Sequence, residues 1–215
     1  MIKKGLLALC CSIALLAACS RTEPKIAYGT MKMVYYQSEG KPEERFSFFI
    51  MPEDDDGFED IAEVLLYHDR EGLAWKLTAE DWVSYEVNGK TWVGSRSIAM
   101  LDDEPLPRGQ FRAVLVDKGG EQSERVFAFD APEDPRYPFP FLTIENGRYL
   151  VESGYPEHSF IYYNAQGEYV DTVSLQVLDG ALAELKLPSN VKALALWAED
   201  SEYMVSALTN VISLP

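Results

Sequence analysis

The sequence predicts an all-β chain built as two small β-sandwich domains, and three observations carry that prediction. Short segments rich in aromatic and β-branched residues recur along the chain, and two pairs of them are joined by Asn-Gly. Runs of this kind bounded by turn residues read as strands, and Asn-Gly between two of them reads as a tight hairpin. No segment of the first body sustains a 3.6-residue apolar period over three turns, so no amphipathic helix is expected there. Four prolines fall within the ten residues Ala131 to Pro140. Proline lacks the amide donor and fixes φ, so this stretch serves as a semi-rigid connector between bodies. The expected division is residues 26–131 for the first sandwich, 132–140 for the linker and 141–215 for the second. One continuous domain with a proline-rich loop is the alternative.

The chain begins with Lys3 and Lys4, then an apolar run of 11 residues from Leu6 to Leu16, broken only by Ser12. This is the layout of a secretory signal. It is too short to cross a membrane, which takes about 20 apolar residues. The run closes in Leu16-Ala17-Ala18-Cys19, which resembles the lipobox of bacterial lipoproteins: an aliphatic residue, two small residues, then cysteine. The resemblance implies a signal peptide over residues 1–18, acylation of Cys19 and a lipidated tether over residues 19–25. Two or three acyl chains hold a protein stably on a bilayer where one does so marginally. Ser20, after the cysteine, is compatible by the enterobacterial sorting rule with the outer membrane rather than the inner. Cys10, Cys11 and Cys19 are the only cysteines. The mature chain is therefore expected to hold no disulfide, no cysteine nucleophile and no cysteine metal ligand.

In the first body, Met31 to Tyr36, Arg45 to Met51, Glu63 to Tyr67 and Ala74 to Leu77 read as strands. Phe58 to Leu66 offers one helical turn before a strand. Trp82 to Val87 and Lys90 to Val93 flank Asn88-Gly89 as a hairpin. Gln110 to Val116 alternates and returns through Gly119-Gly120 to Arg125–Phe129. The passage from Pro107 to Gly120 resembles the late strand pair of immunoglobulin-like and fibronectin type III modules, with Phe111 in place of their usual tyrosine. Tyr137, Phe139 and Phe141 are placed to pack between the bodies. The second body opens on another hairpin, Phe141–Glu145 and Arg148–Val151 around Asn146-Gly147. Phe160 to Tyr163, Tyr169 to Val173, Ala181 to Leu187 and Val191 to Trp197 follow as strands. Tyr203 to Leu214 resembles the last strand of a fibronectin type III module.

The 215 residues carry 35 acidic and 19 basic side chains, a formal charge of −16. Such a field argues against nucleic acid and against a polybasic grip on anionic lipid. There is no Gly-x-Ser-x-Gly elbow, phosphate-binding glycine loop or His-Glu-x-x-His. His68 and His158 fall in different expected bodies, and the reading is non-enzymatic, with no cofactor and no catalytic residue.

Two constellations remain. The acidic run Glu53 to Asp60 fails as an EF-hand, because placing Gly57 at the sixth position puts Pro52 at the first. It reads as a solvated loop; a looser calcium site on Asp54, Asp56 and Asp60 is the alternative. Trp75, Trp82 and Trp92 lie close together in sequence beside Tyr67 and Tyr85. They read as core, with stacking on sugar faces as the alternative if two or three of the rings stand exposed on one face. The expected protein resembles the small cell-envelope lipoproteins of spirochaetes and other bacteria with two membranes. The resemblance implies a chain held on the membrane by its acyl chains and displaying sandwich modules to an unknown protein partner. A carbohydrate-binding module and a calcium-stiffened structural protein are the alternatives.

Overall fold

The computed structural model describes residues 22–37, 42–101, 104–133 and 135–214. The signal segment and Cys19 lie outside the described residues. Sixteen strands and two short 3-10 turns make up the regular structure of the described chain, and it has no α-helix.

The strands are β1 (Lys25–Gln37), β2 (Pro42–Glu53), β3 (Ile61–His68), β4 (Leu73–Thr78), β5 (Val83–Val87), β6 (Lys90–Ile98), β7 (Gly109–Asp117) and β8 (Gln122–Phe129) in the first half. The second half holds β9 (Phe141–Glu145), β10 (Arg148–Glu152), β11 (Glu157–Tyr163), β12 (Tyr169–Ser174), β13 (Asp179–Ala181), β14 (Ala193–Asp200), β15 (Val205–Leu208) and β16 (Ile212–Ser213). Both Asn-Gly hairpins form. Asn88 and Gly89 have φ of 52° and 71°, and Asn146 and Gly147 have 51° and 74°, the paired positive φ of a type I′ turn. The helical turn expected ahead of β3 is a 3-10 turn at Phe58–Asp60.

Two expected strands differ. Ala181 to Leu187 is a strand end followed by a 3-10 turn at Leu182–Leu185, closed by Lys186 at φ 48°. Leu182, Leu185 and Leu187 all lean on the second core, so a turn seats what a two-residue alternation would have divided between two faces. Tyr203 to Leu214 is broken into β15 and β16, which pair separately with β14.

Three sheets result. A four-stranded sheet runs β4-β3-β7-β8, a three-stranded one β13-β10-β9, and a nine-stranded one β12-β11-β14-β15-β1-β2-β6-β5 with β16 also on β14. The large sheet crosses from one half of the chain to the other where β1 and β15 pair in parallel, Met33 opposite Val205 and Tyr36 opposite Leu208. Two apolar cores lie under it. In the first, Phe46 meets Phe111 and Phe129 edge-on at 5.0 and 4.7 Å, and Tyr155, Ala198, Val205 and Ala207 of the second half join. The second core gathers Tyr149, Val151, Phe160, Tyr162, Leu194 and Leu196.

The proline-dense seam is fastened rather than loose. Arg108 donates from Nε to the Ala131 carbonyl at 3.0 Å and from Nη2 to that of Pro132 at 2.8 Å. Tyr137 and Phe139 pack on the first core, whereas Phe141 stands 59% exposed. As the first residue of the edge strand β9, Phe141 lies on the face opposite Leu142 and Ile144, which pack on the second core.

Tyr137 packs tilted against Tyr155 at 4.6 Å and donates its hydroxyl to Asp200 Oδ2 at 2.6 Å. That hydrogen bond, with the amides of Tyr203 and Glu202, outweighs burial and holds the Asp200 carboxyl below its ordinary 3.8. A carboxylate whose folded pKa lies below its unfolded one stabilises fully above the unfolded value and loses that contribution as pH falls through the folded one. Tyr137→Phe is therefore expected to lower the urea midpoint at neutral pH, with a deficit that narrows below about pH 4. A deficit of constant size across that range would show that Asp200 plays no part.

Candidate functional site

Side chains alternate across a strand, so residues two apart share a face. β1 sends Met31, Met33 and Tyr35 into the first core, and β15 sends Val205 and Ala207. On β14, Ala198 enters the first core while Leu196 and Leu194, on the same side, enter the second. Both smaller sheets therefore cover one face of the nine-stranded sheet. The opposite face crosses both halves and carries no further sheet among the described residues.

That face bears a groove of about 530 Å³ lined by Tyr36, Phe49, Tyr85, Tyr163, Tyr169 and Trp197, with Lys32 and Arg96 among its polar groups. Each lining side chain follows from its register. Tyr36 lies opposite Leu208 on β15, which lies opposite Trp197 on β14. Tyr163 lies opposite Tyr169 on β12. Phe49 lies opposite Gly94, which lies opposite Val83, and its ring meets Tyr85 at 5.1 Å. Burial raises the hydroxyl pKa of Tyr36, Tyr85 and Tyr163; the Arg96 guanidinium, joined at Tyr36 by the stronger pull of Arg45, only partly offsets this. All three are therefore neutral hydrogen-bonding groups at physiological pH.

The charges of the groove are unequal. Lys32 is engaged by Glu199, which also accepts from Trp197 Nε1 and the Ser201 hydroxyl. Burial opposes ionisation of Glu199, but these hydrogen bonds prevail and hold its carboxyl below the usual range. Arg45 is paired with Glu43 and lies over the Tyr36 ring. Arg96 makes no ion pair among the described residues and sits over the Tyr169 ring at 5.9 Å. Of the cations lining the groove, Lys32 is ion-paired and Arg96 is not, among the described residues.

The tryptophans do not form one platform. Trp75 and Trp82 lean on the first core, Trp75 donating to the Ala99 carbonyl at 3.1 Å and Trp82 tilting over Phe58. Trp92 lies on the open face, stacked parallel to Tyr85 at 6.5 Å. His68 is buried beside Phe111, its Nε2 on the Arg108 carbonyl. His158 sits in β11, where burial lowers its pKa. The two histidines remain in separate halves. Asp54 and Asp60 come together, with Asp117 as third member. Asp56 instead turns its carboxylate to the Thr22 amide.

No protein-family model matches the chain, and no curated protein matches it. Among solved structures, Tp47, the 47-kilodalton lipoprotein of Treponema pallidum, matches at 12% identity and a TM-score of 0.40, over 90% of this chain and 52% of that one. The chain thus spans about half the length of that structure. Dimeric latent PorU from Porphyromonas gingivalis matches at 12% identity and a TM-score of 0.34, over 91% of this chain and 21% of that one. Dpr11 IG1 bound to DIP-gamma matches at 12% identity and 0.27, over 88% of this chain and all of that one. At these scores the likenesses assign no function to this chain.

Proposed function

We propose that this chain is a non-enzymatic, lipid-anchored envelope protein whose open sheet face receives a protein partner. The observation that supports the reading is the tyrosine-rich groove that crosses both sandwiches and holds one cation, Arg96, without an ion pair among the described residues. Tyrosines offer large, rigid contact area at low entropic cost, with a polar tip for hydrogen bonds. The groove volume falls in the range of about 300–1,000 Å³ usual for binding sites. Arg96 selects for a carboxylate, because a guanidinium matches one with two parallel hydrogen bonds. The formal charge of −16 favours a partner that is basic as a whole, attracted at long range. The partner inferred is therefore a basic protein that seats one acidic side chain on Arg96. The Leu16-Ala17-Ala18-Cys19 resemblance supplies the anchor, and acyl chains on Cys19 hold the face near the membrane.

A photoreactive phenylalanine analogue placed at Tyr169 in intact cells tests this. Tyr169 is 54% exposed, and Val126 on β8 of the four-stranded sheet, at 55%, is the control. A discrete protein adduct is expected from position 169 and none from position 126. Arg96→Glu should abolish the adduct, and Cys19→Ala should release the chain from the membrane fraction. Equal adducts from both positions, an adduct indifferent to Arg96→Glu, or one of carbohydrate composition would overturn the reading.

A further inference from the structure

We propose that Asp54, Asp60 and Asp117 form a calcium-type cation site that ties together the two sheets of the first sandwich. The three come from separate places in the sequence. Asp54 is the first residue past β2, which belongs to the nine-stranded sheet. Asp60 ends the 3-10 turn directly before β3, and Asp117 is the last residue of β7; both strands belong to the four-stranded sheet. Backbone geometry brings them together. The Gly57 amide closes a turn onto the Asp54 carbonyl at 3.1 Å, and the Lys118 amide donates to the Asp60 carbonyl at 2.7 Å. One carboxylate oxygen from each of the three lies within 4.8 Å of the others.

Proximity of acids alone would mean little; the state of their oxygens is what points to a ligand. Asp117 is only 2% exposed. Its Oδ1 accepts the Glu121 amide at 2.9 Å, while its Oδ2 is buried with no hydrogen-bond partner among the described residues. Asp54 repeats the pattern, with Oδ1 accepting the Asp56 amide at 2.9 Å and Oδ2 buried and unpartnered. No basic side chain is ion-paired with any of the three among the described residues. Lys118, next to Asp117, sends its ammonium to the Glu59 carbonyl instead. Buried anionic oxygens stripped of water and left unmet are costly, and mutual repulsion adds to the cost. A cation at their centre resolves both.

The donor set names the class of ion. All three donors are carboxylate oxygens, which suit hard cations rather than zinc or copper. Calcium binds oxygens at about 2.3–2.6 Å, so two oxygens on one ion stand at most about 5 Å apart. All three can therefore reach a single ion, with backbone carbonyls and water completing the shell. The loop that supplies Asp54 and Asp60 also receives the start of the described chain, through the Thr22 amide on Asp56 Oδ2 at 3.0 Å. The site thus lies beside the segment that leads back to Cys19. It is independent of the aromatic groove, and either reading can fail without the other.

The test uses the full-length chain in detergent, stripped with EDTA and titrated with CaCl₂ by calorimetry, with thermal unfolding measured alongside. One calcium is expected to bind. Saturation at a hundredfold excess over Kd should raise Tm by about 5 °C or more for a protein of this size. Asp117→Asn keeps the acceptor for the Glu121 amide and removes one buried charge. It should therefore fold, match or exceed the wild-type Tm in EDTA, and lose both the calcium heat and the Tm rise. Asp60→Asn should lose them as well. No calcium heat with an unchanged wild-type Tm, or a rise that persists in both variants, would overturn the site.

Discussion

Gly94→Ala is expected to cost more than about 3 kcal/mol of stability, beyond the usual 1–3 of an overpacked core. Gly94 lies on β6 opposite Phe49, between β2 and the edge strand β5 of the nine-stranded sheet. A Cβ there would stand 1.9 Å from the Phe48 carbonyl oxygen and 2.7 Å from the Phe49 Cα. Those neighbours are backbone, not the far end of a side chain, so relief requires β2 and β6 to part. The strand that would move also carries Phe46, Phe48 and Ile50 into the first core and Phe49 into the groove. Gly89→Ala is the matched control. Its Cβ meets nothing within 4 Å, but its φ of +71° is unfavourable for alanine, a cost of about 1–2 kcal/mol. The urea midpoints should order wild type, then Gly89→Ala, then Gly94→Ala, and a Gly94→Ala chain as stable as the Gly89→Ala one would refute the steric account.

Arg108→Ala is expected to cost about 3–5 kcal/mol, the range for breaking a buried ion pair from one side. Arg108 and Glu44 are each only 15% exposed and pair at 3.1 Å. Glu44 Oε2 also accepts the Leu106 amide at 3.0 Å. Arg108 further binds the carbonyls of Leu106, Ala131 and Pro132. One guanidinium thus satisfies a carboxylate of β2 and the acceptors at the head of the proline seam. Its loss leaves Glu44 without its ion-pair partner and the Ala131 and Pro132 carbonyls without their donor. A double-mutant cycle with Glu44→Gln separates the two effects. Coupling between the sites reports the ion pair, and the remainder reports the carbonyls. If Arg108→Ala and Glu44→Gln were simply additive, the pair would contribute nothing of its own.

The sequence was informative wherever the determining interaction is local. Alternation in Gln110–Val116 produced β7 within one residue of its observed bounds, and the aromatic and branched content of Arg45–Met51 located the middle of the longer β2. Asn-Gly demanded two positive φ values in succession, and both hairpins have them. It misled where packing overrode alternation, as at Leu182–Leu185, and where one expected strand, Tyr203–Leu214, is divided into β15 and β16.

The sites divide the same way. Nothing near Asp54 or Asp60 in sequence points to Asp117, because the turn after β7 reaches them only through the pairing of β3 with β7. Tyr36, Tyr163 and Trp197 each sit on the side of their strand away from the core, which alternation does indicate. That they share one groove depends on the parallel pairing of β1 with β15. Trp75, Trp82 and Trp92, neighbours in sequence, are parted by the same rule, since Trp92 faces away from the core that holds the other two.

By itself, then, the sequence determined the strand content, the turns, the strong acidity and the expectation of an exported, acylated amino terminus. Those properties rest on residues within a few positions of one another. Tertiary structure alone decided that one sheet runs through both halves, that its outer face carries an aromatic groove, and that three aspartates meet at one end of the first sandwich. Each of these joins residues far apart along the chain. Such contacts form only when the free energy of the whole fold offsets the entropy of closing long loops, and no local pattern records them.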